Sequence, residues 1–155
     1  AVVMPADYNA FYTDHPEGPR YFRYVVEELP RICQSLFPLS PKREDNFVAG
    51  LSMGGHGAMK VGVMKPEAYA AVLCMSGAAI GPKQIKAFAA RFRQRRINEE
   101  RPRISLETIF GGLDDFEGGP NDVWHHAKLN VEQGKMLPSF HFAVGDQDFA
   151  REGVE

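Results

Sequence analysis

Five residues, Gly50-Leu51-Ser52-Met53-Gly54, constrain this chain more than any others. They follow a short apolar run, residues 46–49, and lead into a stretch of small residues, 53–65, that Pro66 stops. Strand, sharp turn and helix form the context in which a glycine-flanked serine acts as a nucleophile. On such a turn the serine backbone is strained. Side chains two residues to either side would collide, so Gly50 and Gly54 are both read as required. The turn lifts the Ser52 hydroxyl above the carboxyl ends of the strands. It aims the Met53 N–H at a developing oxyanion, and the positive end of the following helix adds to that field. A phosphate loop is the rival for these glycines, since Gly50 and Gly55 have its separation. His56 stands where that loop needs lysine and Gly57 where it needs Ser or Thr, which sets nucleotide binding aside.

The rest of the chain is patterned around this turn. Residues 1–5 are apolar and β-branched up to Pro5, and read as a buried strand whose start lies outside the chain. Residues 6–18 are polar and turn-rich. From Pro19 onward Phe22, Val25, Leu29, Ile32 and Leu36 recur at helical spacing, with Pro30 expected to bend the helix. Residues 69–75 and 140–144 read as further buried strands and 122–131 as a short helix. Residues 82–98 form a basic helix-like stretch and 99–120 an irregular one. The glycines at 54, 55, 57 and 62 weaken the helix after Ser52, and suggest close backbone packing or an approaching ligand. Strands alternating with helices predict an α/β fold, a mostly parallel sheet with helices on both faces. We read residues 1–155 as one domain, with residues 79–120 as a cap-like insertion.

Composition narrows the function classes. With 44% hydrophobic and 25% charged residues the chain can build a core. A formal net charge of -2 offers no basic excess for nucleic acid or an anionic membrane. The basic residues Lys83, Lys86, Arg91, Arg93, Arg95 and Arg96 read as a solvated face, placed where a cap over an acyl pocket would also sit. There is no apolar run of about 20 residues, the length that spans a bilayer, and residues 1–5 lack the pattern of a leader. Cys33 and Cys74 are the two cysteines. They form no disulfide framework and read as buried thiols in a reducing cytoplasm. No His, Cys or acidic cluster has metal-ligand spacing.

A serine nucleophile needs a base and an acid to orient it. On this type of fold the acid follows the serine at the end of a later strand, and the histidine comes last. The last strand ends in Gly145-Asp146-Gln147-Asp148-Phe149, so either aspartate can serve. All five histidines precede them. His56 reads as a helix residue beside the site, and His125 and His126 as structural or surface residues. The triad histidine is expected outside this chain.

Four ordered segments carry a resemblance: Val2-Val3-Met4-Pro5, Phe11-Tyr12-Thr13-Asp14, Glu27-Glu28-Leu29-Pro30 and Gly50-Leu51-Ser52-Met53-Gly54-Gly55-His56-Gly57. The chain resembles the esterase D-like esterases, of the tributyrin and acetyl esterase type and related to S-formylglutathione hydrolases. The likeness is weakest over residues 79–120. It implies an α/β-hydrolase fold and hydrolysis of short acyl esters without a cofactor, through Ser52 and a Met53 oxyanion donor. The family's Gly-x-x-Asp-Phe segment selects Asp148 as the acid. Its second oxyanion donor would precede residue 1 and its histidine would follow residue 155, so the chain reads as an internal fragment lacking the first strands and the C-terminal strand and helix. A small-molecule ester is the expected partner, with no nucleic acid and no membrane. Unfinished sheet edges invite self-association or a complementary chain.

Overall fold

The computed structural model describes residues 1–8, 10–77, 80–96, 105–148 and 151, with only the backbone of 91–96. Three five-residue strands form its sheet: β1 (Phe47–Leu51), β2 (Ala71–Met75) and β3 (Ser139–Ala143). They lie in the order β1-β2-β3, all parallel, with Leu51, Met75 and Ala143 in one row at their carboxyl ends. The segment after each strand therefore leaves the sheet from the same edge, where parallel sheets place their ligands.

Helix α3 (Met53–Met64) connects β1 to β2 and packs on both strands. Its apolar and small residues surround it almost completely, and it is buried from Gly55 to Val63. Helix α6 (Val123–Glu132) packs beside α3 and is capped by Asp122, whose carboxylate accepts the His125 N–H at 3.1 Å. Asn130 of α6 donates to the Val63 carbonyl at 2.6 Å, satisfying one of the acceptors left open in the last turn of α3. Ala58, Met59 and Val63 meet Val72, Cys74 and Val123 in the main core. The glycine-rich reading of α3 resolves into close packing: a Cβ on Gly57 would fall inside the Tyr12 ring, and one on Gly62 inside the Val72 side chain.

This core covers one face of the sheet. On the other face Phe47 is 66% exposed, Leu51 63% and Leu73 37%. Residues 1–5 do not form the expected strand; they carry no secondary structure, and Val2 and Met4 are exposed. An apolar run needs a ladder partner for its N–H and C=O groups, and among the described residues β1 pairs only with β2.

The helical pattern from residue 21 is divided into α1 (Tyr21–Arg23), a π-helical turn (Tyr24–Glu28) and α2 (Leu29–Leu36). Pro30 has no N–H to give. Instead of a simple bend the chain widens before the proline, with the Leu29 N–H bonded to the Tyr24 carbonyl, five residues back. Cys33 and Cys74 are buried free thiols, as expected.

Beyond β2, α4 spans Pro82–Arg96. Lys83 and Lys86 are exposed on it, whereas the side chains of Arg91, Arg93, Arg95 and Arg96 lie outside the described residues. Residues 97–104 also lie outside them. The segment expected to be irregular contains α5 (Leu106–Phe110), capped by the Ser105 side chain and ended by Gly111 at φ 74°. Ile80, Ile85 and Ala89 join Ile109, Phe110 and Phe116 in a second, smaller core.

Lys60 is 2% exposed on α3. Its ammonium donates to Thr13 Oγ1 at 3.0 Å and to Asn121 Oδ1 at 2.7 Å, and lies 5.1 Å from the centroid of Phe22. Desolvation lowers its pKa to about 7, against a smaller upward pull from Asp14. The unfolded chain therefore holds this proton over a range in which the folded chain has lost it, so stability rises with pH from about 7. Burial raises the Cys74, Tyr12 and Tyr69 pKa values, which acts in the opposite sense at higher pH. Between pH 7 and 9 urea unfolding should show stability increasing by up to about 2–3 kcal/mol relative to a Lys60→Met variant, which lacks the group. Parallel pH profiles for the two proteins would contradict the assignment.

Candidate active site

Ser52 leaves β1 at φ 56° and ψ -117°, a conformation that L-residues adopt only under strain. Its N–H is anchored to the Met75 carbonyl at 2.9 Å, at the end of β2. Its own carbonyl accepts the His56 N–H at 3.2 Å and so starts α3. Serine at a helix start usually caps it with its side chain. Here the hydroxyl makes no capping bond and the residue is exposed, which leaves Oγ available. The Met53 N–H is among the first donors of α3, which have no carbonyl within the helix to meet.

The two flanking glycines are not equivalent. A Cβ on Gly50 would overlap the Gly54 carbonyl group and approach the Gly55 nitrogen at 2.8 Å, so glycine is compulsory there. A Cβ on Gly54 would meet, among the described residues outside α3, only the Tyr12 hydroxyl, at 3.6 Å. The expected collision at Gly54 is thus absent among the described residues. At this position α3 has already turned away from β1, and glycine keeps open the space beside Ser52.

The turn after β2 closes against the other side of the elbow. Ser76, at φ 44°, bonds through its N–H to the Ala143 carbonyl at 2.7 Å. A Cβ on Gly77 would stand 2.7 Å from the Ser52 carbonyl oxygen. Cys74 Sγ lies 3.3 Å from the Gly77 carbonyl that accepts its hydrogen bond.

A family model described as "Putative esterase" matches residues 2–136. This chain belongs to that esterase family. The acetyl esterase of Caldicellulosiruptor saccharolyticus is 32% identical over 151 residues, which are 96% of this chain and 54% of that protein. The S-formylglutathione hydrolase of Paracoccus denitrificans is 42% identical over 67 residues, 40% of this chain and 23% of that protein. Among solved structures, Staphylococcus aureus FphF, a fluorophosphonate-binding serine hydrolase with substrate bound, superposes with a TM-score of 0.74. It is 29% identical, with 94% of this chain and 52% of that one covered. The chain thus spans about half the length of the acetyl esterase it matches.

In this esterase-family chain the two acid candidates leave β3 at the same sheet edge as Ser52, two strands across. Asp146 is exposed, and its backbone carbonyl accepts from Arg151 Nη1 at 3.4 Å. Asp148 is half-buried in a tight turn, with its N–H bonded to the Gly145 carbonyl at 3.1 Å. Phe149 lies outside the described residues.

His56 is buried in α3 and not turned to solvent. Its Nδ1 accepts the Ile80 N–H at 3.2 Å, which puts the neutral ring's proton on Nε2, and its ring meets Phe11 edge-on at 6.3 Å. His125 and His126 sit on α6, with His126 Nε2 3.2 Å from the Gly119 carbonyl. Among the described residues no cluster of His, Cys, Asp or Glu could hold a metal ion, and no helix is long and apolar enough to cross a membrane.

One part of the site escaped the sequence reading. Residues 7, 8 and 10–13 form a strained clasp on α3, with Tyr8, Phe11 and Tyr12 at φ 50°, 53° and 51°. Buried Asp7 holds it by accepting the Tyr12 N–H at 2.8 Å. Phe11 then reaches His56, Tyr12 lies over Gly57, and Thr13 meets Lys60. Lys60 itself could have been found, because it is the lone charged residue between apolar neighbours on a helix that is apolar all round.

Proposed function

We propose that these residues carry the nucleophile half of a serine carboxylesterase acting on short acyl, acetyl-type esters. The single observation behind this reading is the strained, exposed Ser52 at the start of α3, on a chain of the esterase family. Ser52 Oγ attacks the ester carbonyl while a histidine supplied from outside these residues takes its proton. The Met53 N–H stabilises the oxyanion, and a second donor comes from elsewhere in the protein. The tetrahedral intermediate collapses with release of the alcohol, and the histidine protonates it. Water then attacks the acyl-enzyme by the same route in reverse. Asp148 holds the histidine's tautomer; both aspartates share the sheet edge of Ser52, and the half-buried turn supports Asp148 over exposed Asp146. The second core around Ile80 and Phe110 supports residues 79–120 as a cap beside the site. The two unbridged thiols fit a cytoplasmic setting.

Thioester hydrolysis of the S-formylglutathione type is the second reading, favoured by the 67-residue match. The intact protein should hydrolyse p-nitrophenyl acetate or tributyrin with a higher kcat/KM than S-formylglutathione. The reverse order would move the assignment to the thioester. A third reading is that these residues alone are inactive and need further polypeptide, from a complementary chain or a second copy. The bare apolar sheet face supports it, because parallel sheets are normally covered on both sides.

A further inference from the structure

The Tyr12 ring lies along α3 with its base over Gly57 and its hydroxyl over Gly54, one turn nearer the helix start. The phenol therefore runs toward the end of α3 that carries Ser52. The position a Gly54 Cβ would fill is open apart from this hydroxyl, among the described residues. Gly54 is itself partly exposed, so the opening reaches solvent beside the nucleophile. The hydroxyl has no hydrogen-bond partner among the described residues, whereas the Tyr12 backbone is fixed by Asp7. Tyr12 is half-buried, and its left-handed φ of 51° is a backbone conformation that costs stability and is kept in place by its surroundings.

We propose that the Tyr12 hydroxyl donates a hydrogen bond to an ether or hydroxyl oxygen of the ester bound in the opening beside Gly54, and so selects oxygen-bearing substrates over hydrocarbon ones. This inference rests on Ser52 being the esterase nucleophile. Burial, with the Asp7 carboxylate close by, raises the Tyr12 pKa, so the group stays a donor across the physiological range. A site that offers a donor penalises a ligand that lacks the acceptor, because the donor is then left unpaired on binding.

The test uses two pairs of matched probes on the intact protein, each pair exchanging one CH₂ for oxygen. On the alcohol side these are 2-methoxyethyl acetate and butyl acetate; on the acyl side, p-nitrophenyl methoxyacetate and p-nitrophenyl butyrate. Tyr12→Phe should lower the kcat/KM ratio of oxygen-bearing to hydrocarbon ester about three- to tenfold in one pair, the worth of one neutral hydrogen bond. The pair that responds tells which side of the ester lies in the opening. Gly54→Ala fills the opening while touching only Tyr12, so it should raise KM for the esters of that pair and leave the melting temperature unchanged. Active Tyr12→Phe enzyme with both ratios within twofold of wild type would overturn the proposal while leaving Ser52 in place. Unimpaired ester turnover by a folded Gly54→Ala variant would overturn it as well. A wild-type protein that hydrolyses none of the four esters, and takes no fluorophosphonate on Ser52, would remove the esterase reading and this one with it.

Discussion

Replacing Ser52 by alanine should lower kcat for p-nitrophenyl acetate on the order of 10⁴- to 10⁶-fold in the intact protein, with the melting temperature nearly unchanged or raised. The size follows from the role. The nucleophile, its base and the acid act as a unit, and losing the nucleophile leaves only what binding and the oxyanion donors supply. The direction of the stability change follows from the backbone. Ser52 sits at φ 56° without a capping bond, so its hydroxyl adds nothing to the fold that alanine would remove. Loss of activity together with loss of structure would speak for a structural serine, and retained activity would exclude Ser52 as nucleophile.

The second large effect is expected at Gly50. Gly50→Ala places a methyl group within the Gly54 carbonyl and close to the Gly55 nitrogen, both main-chain atoms that no rotamer change can move. Either β1 or the first turn of α3 must shift. Overpacking of this kind costs about 3 kcal/mol or more, which lowers the melting temperature roughly 6–12 °C for a domain of this size. The Met53 N–H would turn with the helix start, so ester turnover should fall as well. Gly54→Ala is the internal control. It stands on the other side of the same serine, yet its methyl group meets only the Tyr12 hydroxyl. Equal destabilisation by the two substitutions, read by thermal unfolding, would contradict the asymmetry of the elbow.

The parts legible in the sequence are those in which local pattern and tertiary role coincide. Apolar runs bounded by glycine or turn residues mark β1, β2 and β3 to within a residue or two. The spacing of Gly50, Ser52 and Gly54 marks the elbow because an apolar run precedes it and a small-residue helical stretch follows it. Residues 1–5 have the same composition as a strand, but pairing is a property of the neighbour and not of the segment. At Pro30 the sequence announces a missing N–H; whether the helix bends or widens is decided by packing. The helix at Leu106–Phe110 lay in a stretch read as irregular, because five residues are too short to show periodicity; in the structure Ser105 caps it and Gly111 ends it. The clasp on α3 was hidden for a different reason. Tyr8, Phe11 and Tyr12 take left-handed conformations for which the sequence offers no glycine, and tertiary contacts, to Asp7, Tyr21, His56, Gly57 and Phe110 among the described residues, hold them there. Local strain at a site is where pattern-based reading fails, because tertiary contacts and not propensity sustain it.

Ser52 as the nucleophile is tested most directly by the intact mass of the protein after reaction with a fluorophosphonate probe, followed by peptide mapping of the adduct. A single adduct is expected on the peptide that contains Ser52, and none on the Ser52→Ala variant. An intact, folded protein that takes no adduct, or takes it on another residue, would contradict Ser52 as the nucleophile.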